Sequence, residues 1–183
     1  PSTGQPEFNT LIRQVYEGLF RQVLTASFPE TSVTVKTRMA TEYPQALLTS
    51  KVLDPQVSAV IVDIARAGIL PSQVCYDLLN TVLNPQRVRQ DHLIMARTVD
   101  ASEHVTGATI SGSKIGGKID NKIVVFPDPM GATGGSLATA IEAYLSAGLG
   151  KPNRIITLNL IITPEFVRRL MELEYPVEVF ALR

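Results

Sequence analysis

Cysteine occurs once in the 183 residues, at Cys75, so no internal disulfide can form and a reducing cytosol suits the chain. Histidine occurs only twice, at His92 and His104, and no cluster of Cys and His at metal-ligand spacing exists. Excess charge is missing too. The 17 basic and 17 acidic residues cancel to a formal net charge of zero, which removes any long-range pull toward nucleic acid or an anionic membrane. The longest apolar stretch, Ile155 to Ile162, is broken by Thr157 and Asn159 and is far too short to span a bilayer. No basic-then-apolar leader opens the sequence, and Pro1 in place of Met implies a trimmed chain. These absences describe a cytoplasmic protein with no nucleic-acid or membrane partner. Any anionic ligand must be held by local geometry.

What is present fits a single domain over residues 1–183, long enough to bury a core. Apolar residues make up 45% and charged residues 19%, as in ordinary globular chains. Phe8, Leu11, Ile12, Val15, Leu19, Phe20, Val23 and Leu24 fall at helical spacing, with Pro29 as a stop. A β-branched stretch follows at Val33 to Val35, and a short helix is expected near Gln45 to Leu48. Apolar runs then alternate with amphipathic segments. Strands are expected at Val57 to Ile64, His92 to Ala96, Ile123 to Phe126, Ile155 to Ile162 and Val177 to Leu182. Helices are expected from Pro71 to Leu79, from Ser136 to Ala147, and after Thr163, which caps a turn opened by Pro164 and Glu165. Apolar strands alternating with helices predict a mostly parallel sheet covered on both faces.

Residues Thr98 to Asn121 break this alternation, with four glycines and little periodic hydrophobicity. So long a segment inside a compact domain is either functional or irregular. A flap over a site, a projecting β-hairpin and a plain surface excursion all remain open. Glu103 and His104 fall inside it; His104 reads as solvated, and His92, at the start of its strand, as structural.

The segment Val124 to Leu137 carries most chemical information. An apolar strand delivers Asp128 at its carboxyl end, and Pro129, Met130, Gly131, Ala132, Thr133, Gly134 and Gly135 lead into a helix that opens at Ser136. In open α/β sheets this is the ligand-binding edge. Gly134 and Gly135 let the backbone approach anionic oxygens closely. Successive amides, the helix start and the hydroxyls of Thr133 and Ser136 offer donors. A carboxylate repels phosphate but accepts from sugar hydroxyls, so Asp128 beside such a loop implies a phosphorylated sugar. A Gly-Gly turn alone would be no more than a capped turn; strand, acid, loop and helix in order favour the ligand. Two better-known phosphate loops are excluded, since neither Gly-Lys-Ser/Thr nor G-x-G-x-x-G at the first strand–helix junction occurs.

A second anion site is expected at Arg66, Ala67 and Gly68, which follow the strand Val57 to Ile64. Arg66 is a planar cation with small neighbours that leave the backbone open. Alone it would be a surface arginine ahead of a helix; paired with the downstream cradle it reads as functional.

Asp128 to Ser136, D-P-M-G-A-T-G-G-S, resembles the 5-phosphoribosyl-1-pyrophosphate (PRPP) motif of uracil phosphoribosyltransferases, within the type I phosphoribosyltransferase group. Pro129 stands where other branches carry a second acid, which is similar to the uracil branch. The resemblance implies that Asp128 contacts the ribose hydroxyls and that Ala132 to Ser136 hold the 5-phosphate. Gly131 departs from the bulkier apolar residue of the pattern, which implies a looser loop. Arg66-Ala67-Gly68 resembles the family's pyrophosphate loop, often built on a non-proline cis peptide. Met95-Ala96-Arg97 resembles Met-Tyr-Arg, whose arginine also reaches PRPP. The resemblance further implies Mg²⁺ brought in on the pyrophosphate, a homodimer, and transfer of ribose 5-phosphate to a nucleobase, uracil by kinship. In that family a further segment, with a Gly-Asp-Ala stretch, follows the last strand and reads the base; the expectation here is either that this segment is missing from this chain or that another base is read, so base-binding residues are unassigned. Two other readings stay open: a non-catalytic sensor of PRPP or nucleotide, and a structural homologue with a dead site.

Overall fold

The computed structural model describes residues 4–99 and 105–183, and the side chains of residues 97–99, 105, 106 and 108 lie outside that description. Glu103 and His104 are among the residues not described. The chain opens with helix α1 (Glu7–Ser27), followed by strands β1 (Glu30–Lys36) and β2 (Leu47–Leu53). Strand β3 (Ala59–Ala65), helix α2 (Ile69–Val82), and strands β4 (Val88–Val99) and β5 (Val105–Lys114) come next. Strands β6 (Ile123–Pro127) and β7 (Met130–Gly131) lead to helix α3 (Gly135–Ser146). Strands β8 (Arg154–Asn159) and β9 (Ile161–Ile162), helix α4 (Pro164–Met171) and strand β10 (Val177–Ala181) complete it.

The main sheet has the order β10-β8-β6-β3-β4-β5. All neighbours in it are parallel except β4 and β5. The expected parallel sheet therefore holds, and its cause is visible in residue parity. In β3, Ala59 and Ile61 join the core beneath α1 and α2, whereas Val60, Val62 and Ile64 join the core beneath α3 and α4. Likewise Val125 of β6 packs on the first side and Val124 and Phe126 on the second. Strands buried on both faces read as continuous apolar runs. Helix α1 contributes Tyr16, Phe20, Val23 and Leu24 to one layer, and α3 contributes Leu137, Ala138, Ile141 and Tyr144 to the other. No helix among the described residues is long and apolar enough to cross a membrane.

Two expectations are corrected, and of the readings left open for Thr98 to Asn121 the β-hairpin is the one that holds. The short helix near Gln45 to Leu48 is absent, because Leu47–Leu53 is a strand paired antiparallel with β1, as in Val35 opposite Leu48. The segment from Thr98 to Asn121 is largely β-structure, with β5 folded back on β4 as a hairpin. The strand expected at His92 to Ala96 runs from Val88, so His92 lies inside it rather than at its start. There its Nδ1 lies 3.0 Å from Oδ2 of the buried Asp63, its register partner on β3.

A candidate active site at the carboxyl edge

Strands β3 and β6 are neighbours, but the chain leaves them in opposite senses. From β3 it passes through α2, on the α1 side, to β4; from β6 it passes through α3, on the other side, to β8. Such divergence opens a crevice beyond the carboxyl ends of the two strands. Arg66 follows the end of β3, and Asp128 follows the end of β6.

The two turns touch. Gly68 is buried, and a Cβ on it would lie 2.9 Å from both the nitrogen and the oxygen of Ile64 and 3.1 Å from the carbonyl oxygen of Pro127. Any larger residue would force the β3 turn away from the end of β6. The turn closes with the Gly68 amide donating to Ile64 O at 2.9 Å, and the Ala65–Arg66 peptide is cis. Arg66 and Ala67 are left exposed above it.

Asp128 is half-buried, and its Oδ1 accepts from the Met130 amide at 3.0 Å. Burial pushes its carboxyl above the ordinary aspartate range, and the Met130 amide opposes this. Its backbone is pinned to β8, with the Asp128 amide donating to Leu158 O at 3.0 Å and Asn159 Nδ2 donating to Asp128 O at 2.8 Å. The loop beyond is held by its carbonyls. Pro129 O accepts from the amides of Leu160 and Ile161, Gly131 O accepts from the amide of Thr163, and Ala132 O accepts from the Thr163 hydroxyl. With the carbonyls drawn toward β9 and α4, Gly134 takes a positive φ of 76° and turns the chain into α3. No side chain caps that helix, and its first amides have no partner within the helix by geometry.

Gly131 does not loosen this loop. It is buried in a short parallel pairing of β7 with β9, and a Cβ there would lie 2.4 Å from Cδ2 of Phe166. The space a side chain at position 131 would need is taken by the Phe166 ring. That corrects the expectation.

The crevice is a cleft of ≈ 960 Å³ lined by Ile64 to Ala67, Ile94 to Ala96, Asp128 and Ser136. Among the described residues it gathers the guanidinium of Arg66, the carboxylate of Asp128 and the hydroxyl of Ser136 over an apolar floor. Of the remaining expected residues, Gly68 lies beneath it, Ala132 and Thr133 are exposed on the loop, and Met130 is turned out to solvent. Pro129 and Gly131 tie the loop to β9 and α4, while Gly134 and Gly135 begin α3. Arg97 has its backbone on β4 opposite Ala108, and its side chain lies outside the described residues.

Sequence reasoning overlooked Ile94, Asn159 and the second task of Thr163. A polar residue ending an otherwise apolar strand was the available signal for Asn159. For Thr163 the capping signal was legible, since its Oγ1 accepts from the Phe166 amide at 3.2 Å, but its reach back to Ala132 was not.

A family profile described as uracil phosphoribosyltransferase matches residues 1–183. The chain belongs to the uracil phosphoribosyltransferase family. It is 27% identical over 179 residues to a uracil phosphoribosyltransferase of Dictyoglomus thermophilum, covering 98% of this chain and 76% of that one. Among solved structures, a protein of Aquifex aeolicus superposes with a TM-score of 0.73 at 22% identity, covering 98% of this chain and 76% of that chain. A hypoxanthine phosphoribosyltransferase of Staphylococcus aureus gives 0.57 at 16% identity, covering 94% and 73%. These two likenesses carry the fold: a type I phosphoribosyltransferase sheet. Membership of the uracil phosphoribosyltransferase family makes phosphoribosyl transfer the class of reaction and PRPP and a base the family's ligands.

Proposed function

We propose that this chain transfers ribose 5-phosphate from PRPP to uracil, releasing pyrophosphate. The observation that carries the reading is the backbone contact of Gly68 with Pro127, which sets Arg66 and Asp128 at one cleft. The choice of uracil rests on the family and on the relative from D. thermophilum, with Pro129 in place of a second acid as the supporting local feature.

In this reading the carboxylate of Asp128 accepts from the ribose hydroxyls. The loop Ala132 to Ser136 and the open amides of α3 hold the 5-phosphate. A nitrogen of the base attacks C1 of the ribose; the C1–N bond forms while the C1–O bond breaks. Pyrophosphate leaves with the electron pair, and the base nitrogen gives its proton to solvent. Arg66 at the turn after β3 stabilises the charge that builds on the departing pyrophosphate. Holding the ribose in line with the base supplies the orientation term. No covalent intermediate on the protein is needed.

Mg²⁺ fits this donor set only as a passenger of the substrate. Among the described residues Asp128 is the one carboxylate lining the cleft, and no three His, Cys, Asp or Glu side chains come together. A hard cation that keeps several waters suits diphosphate oxygens plus one carboxylate. When bound it neutralises charge on the diphosphate.

The test is incubation with PRPP, Mg²⁺ and a panel of uracil, cytosine, hypoxanthine and adenine, with pyrophosphate and nucleotide measured together. UMP and pyrophosphate in equal amounts are expected from uracil. Nucleotide from a different base would move the specificity. PRPP binding with no pyrophosphate released would replace the transferase with a sensor.

A further inference from the structure

The amino-terminal edge of the main sheet, opposite the cleft, carries a second concavity of ≈ 450 Å³. Its chemistry comes from Ser58, Asn84, Gln86, Arg87, Arg89 and Lys122, and no carboxylate among the described residues lines it. Arg89 is already matched: its Nε and Nη2 donate to the two oxygens of buried Asp91 at 2.8 and 3.0 Å. Arg87 and Lys122 have no ion-pair partner among the described residues. Arg87 also lines the adjoining groove with Asp54 and Asp120, whose carboxylates accept from the amides of Gln56 and Lys151.

The backbone that bears these groups is pinned. Asn84 donates its amide to Pro55 O at 3.0 Å, and its side chain accepts from the Gln86 amide at 3.1 Å. The Arg87 amide donates to Asn84 O at 2.8 Å, and Arg87 Nη1 lies 3.4 Å from Ser58 Oγ. Ser58 O accepts from the Ile123 amide and Lys122 O from the Asn153 amide, at 3.0 and 2.8 Å. Two cations with no ion pair among the described residues, on a hydrogen-bonded backbone beside a hydroxyl and two amide side chains, offer charged donors to a dianion.

We infer that this concavity binds the phosphate groups of a small phosphorylated metabolite. It opens to solvent, and its ≈ 450 Å³ gives room for a small molecule larger than a single phosphate group. Arg87 and Lys122 hold the phosphate; Asn84 and Gln86 face the remainder of the molecule with both donors and acceptors. The site lies across the sheet from Arg66 and Asp128 and does not depend on their assignment.

The experiment is titration of the isotope-labelled full chain with inorganic tripolyphosphate, without divalent ions, followed by amide shifts in NMR. Saturable shifts at Ser58, Gln86, Arg87 and Lys122 are expected in the wild type and equally in Arg66→Ala. In the double variant Arg87→Ala, Lys122→Ala they should weaken by at least roughly tenfold, as loss of two charge-assisted contacts requires. An unchanged thermal melt shows that the double variant is folded. Absence of saturable shifts at these amides, or shifts undiminished in the folded double variant, would overturn the site.

Discussion

Gly68 stands with its absent Cβ only 3.1 Å from the carbonyl oxygen of Pro127. The turn that carries Arg66 and the strand that delivers Asp128 are thereby a single packed unit. Its backbone φ of −74° and ψ of −12° are open to any residue, so the requirement for glycine is one of space alone. Gly68→Ala forces a methyl group to within 2.9 Å of Ile64 N and O, where no flexible side chain can give way. The expected cost is about 1–3 kcal/mol of stability, together with weaker PRPP binding as the turns part. Urea denaturation and calorimetry read the two effects. Wild-type values in both would show that the turns are not coupled.

Arg66 behaves differently because its side chain is exposed. Arg66→Ala should leave stability within about 0.5 kcal/mol, as for other surface changes. Turnover should fall by about 10²–10³, the usual effect of removing one donor from a developing anion. Activity equal to wild type would remove Arg66 from the reaction.

Asp128 combines a functional charge with a cost to the fold. Burial raises its carboxyl, so the folded state favours the protonated form. Stability from this group is fully present below the ordinary aspartate range and declines as pH rises through the raised folded value. Asp128→Asn keeps an oxygen for the Met130 amide and removes the buried charge. At neutral pH the variant should therefore melt no lower than wild type, and any advantage should vanish in acid. Transfer should drop by about a hundredfold or more, as binding of the ribose loses its anionic acceptor. In the wild type, kcat/KM should fall on the acid side at a pH above that of an ordinary aspartate. A variant that melts lower at neutral pH, or a wild-type acid limb at the ordinary position, would contradict this account.

The parallel sheet was readable because β3, β6 and β8 are buried on both faces, leaving apolar runs bounded by turn residues. The hairpin of β1 and β2 was not. Both strands are largely exposed, Leu47 and Leu48 are both in solvent, and a strand without a buried face shows no alternation of period two. The same holds for β5, an edge strand of Thr, Ser and Gly that follows no apolar rhythm. In the site, Asp128 and the glycine turn were legible as local chemistry. Their supports were not: Asn159 and Thr163 each bond a residue 31 positions away, a relation set by tertiary packing and invisible to a local window.

Gly131 and Phe166 test that packing directly. A Cβ at position 131 would lie 2.4 Å from the ring of Phe166, which is 1% exposed. Gly131→Ala should cost about 1–3 kcal/mol through overpacking. In a Phe166→Leu background the same change should cost measurably less, giving a coupling energy of about 0.5 kcal/mol or more. Strict additivity in denaturant melts would mean that the two residues do not compete for one space.

The base of the β4–β5 hairpin rests on Asp91, whose side chain is fully buried. It accepts from Arg89 twice, from the Gly116 amide at 2.9 Å and from the Tyr144 hydroxyl of α3 at 2.5 Å. Arg89 in turn donates to Gly117 O and Lys118 O, so one carboxylate fixes β4, the turn after β5 and α3 together. Burial, and next its hydrogen bond to Asp91, push the Tyr144 hydroxyl up, so it remains a donor throughout the physiological range. Asp91→Ala strands the Arg89 charge and should cost about 3–5 kcal/mol, as breaking one side of a buried pair does. Tyr144→Phe removes a single bond and should cost about 1–2 kcal/mol. Hydrogen exchange separates the two: the Gly116 amide should lose protection in Asp91→Ala well beyond any change in Tyr144→Phe. Equal protection in both variants would place the anchor of the hairpin elsewhere.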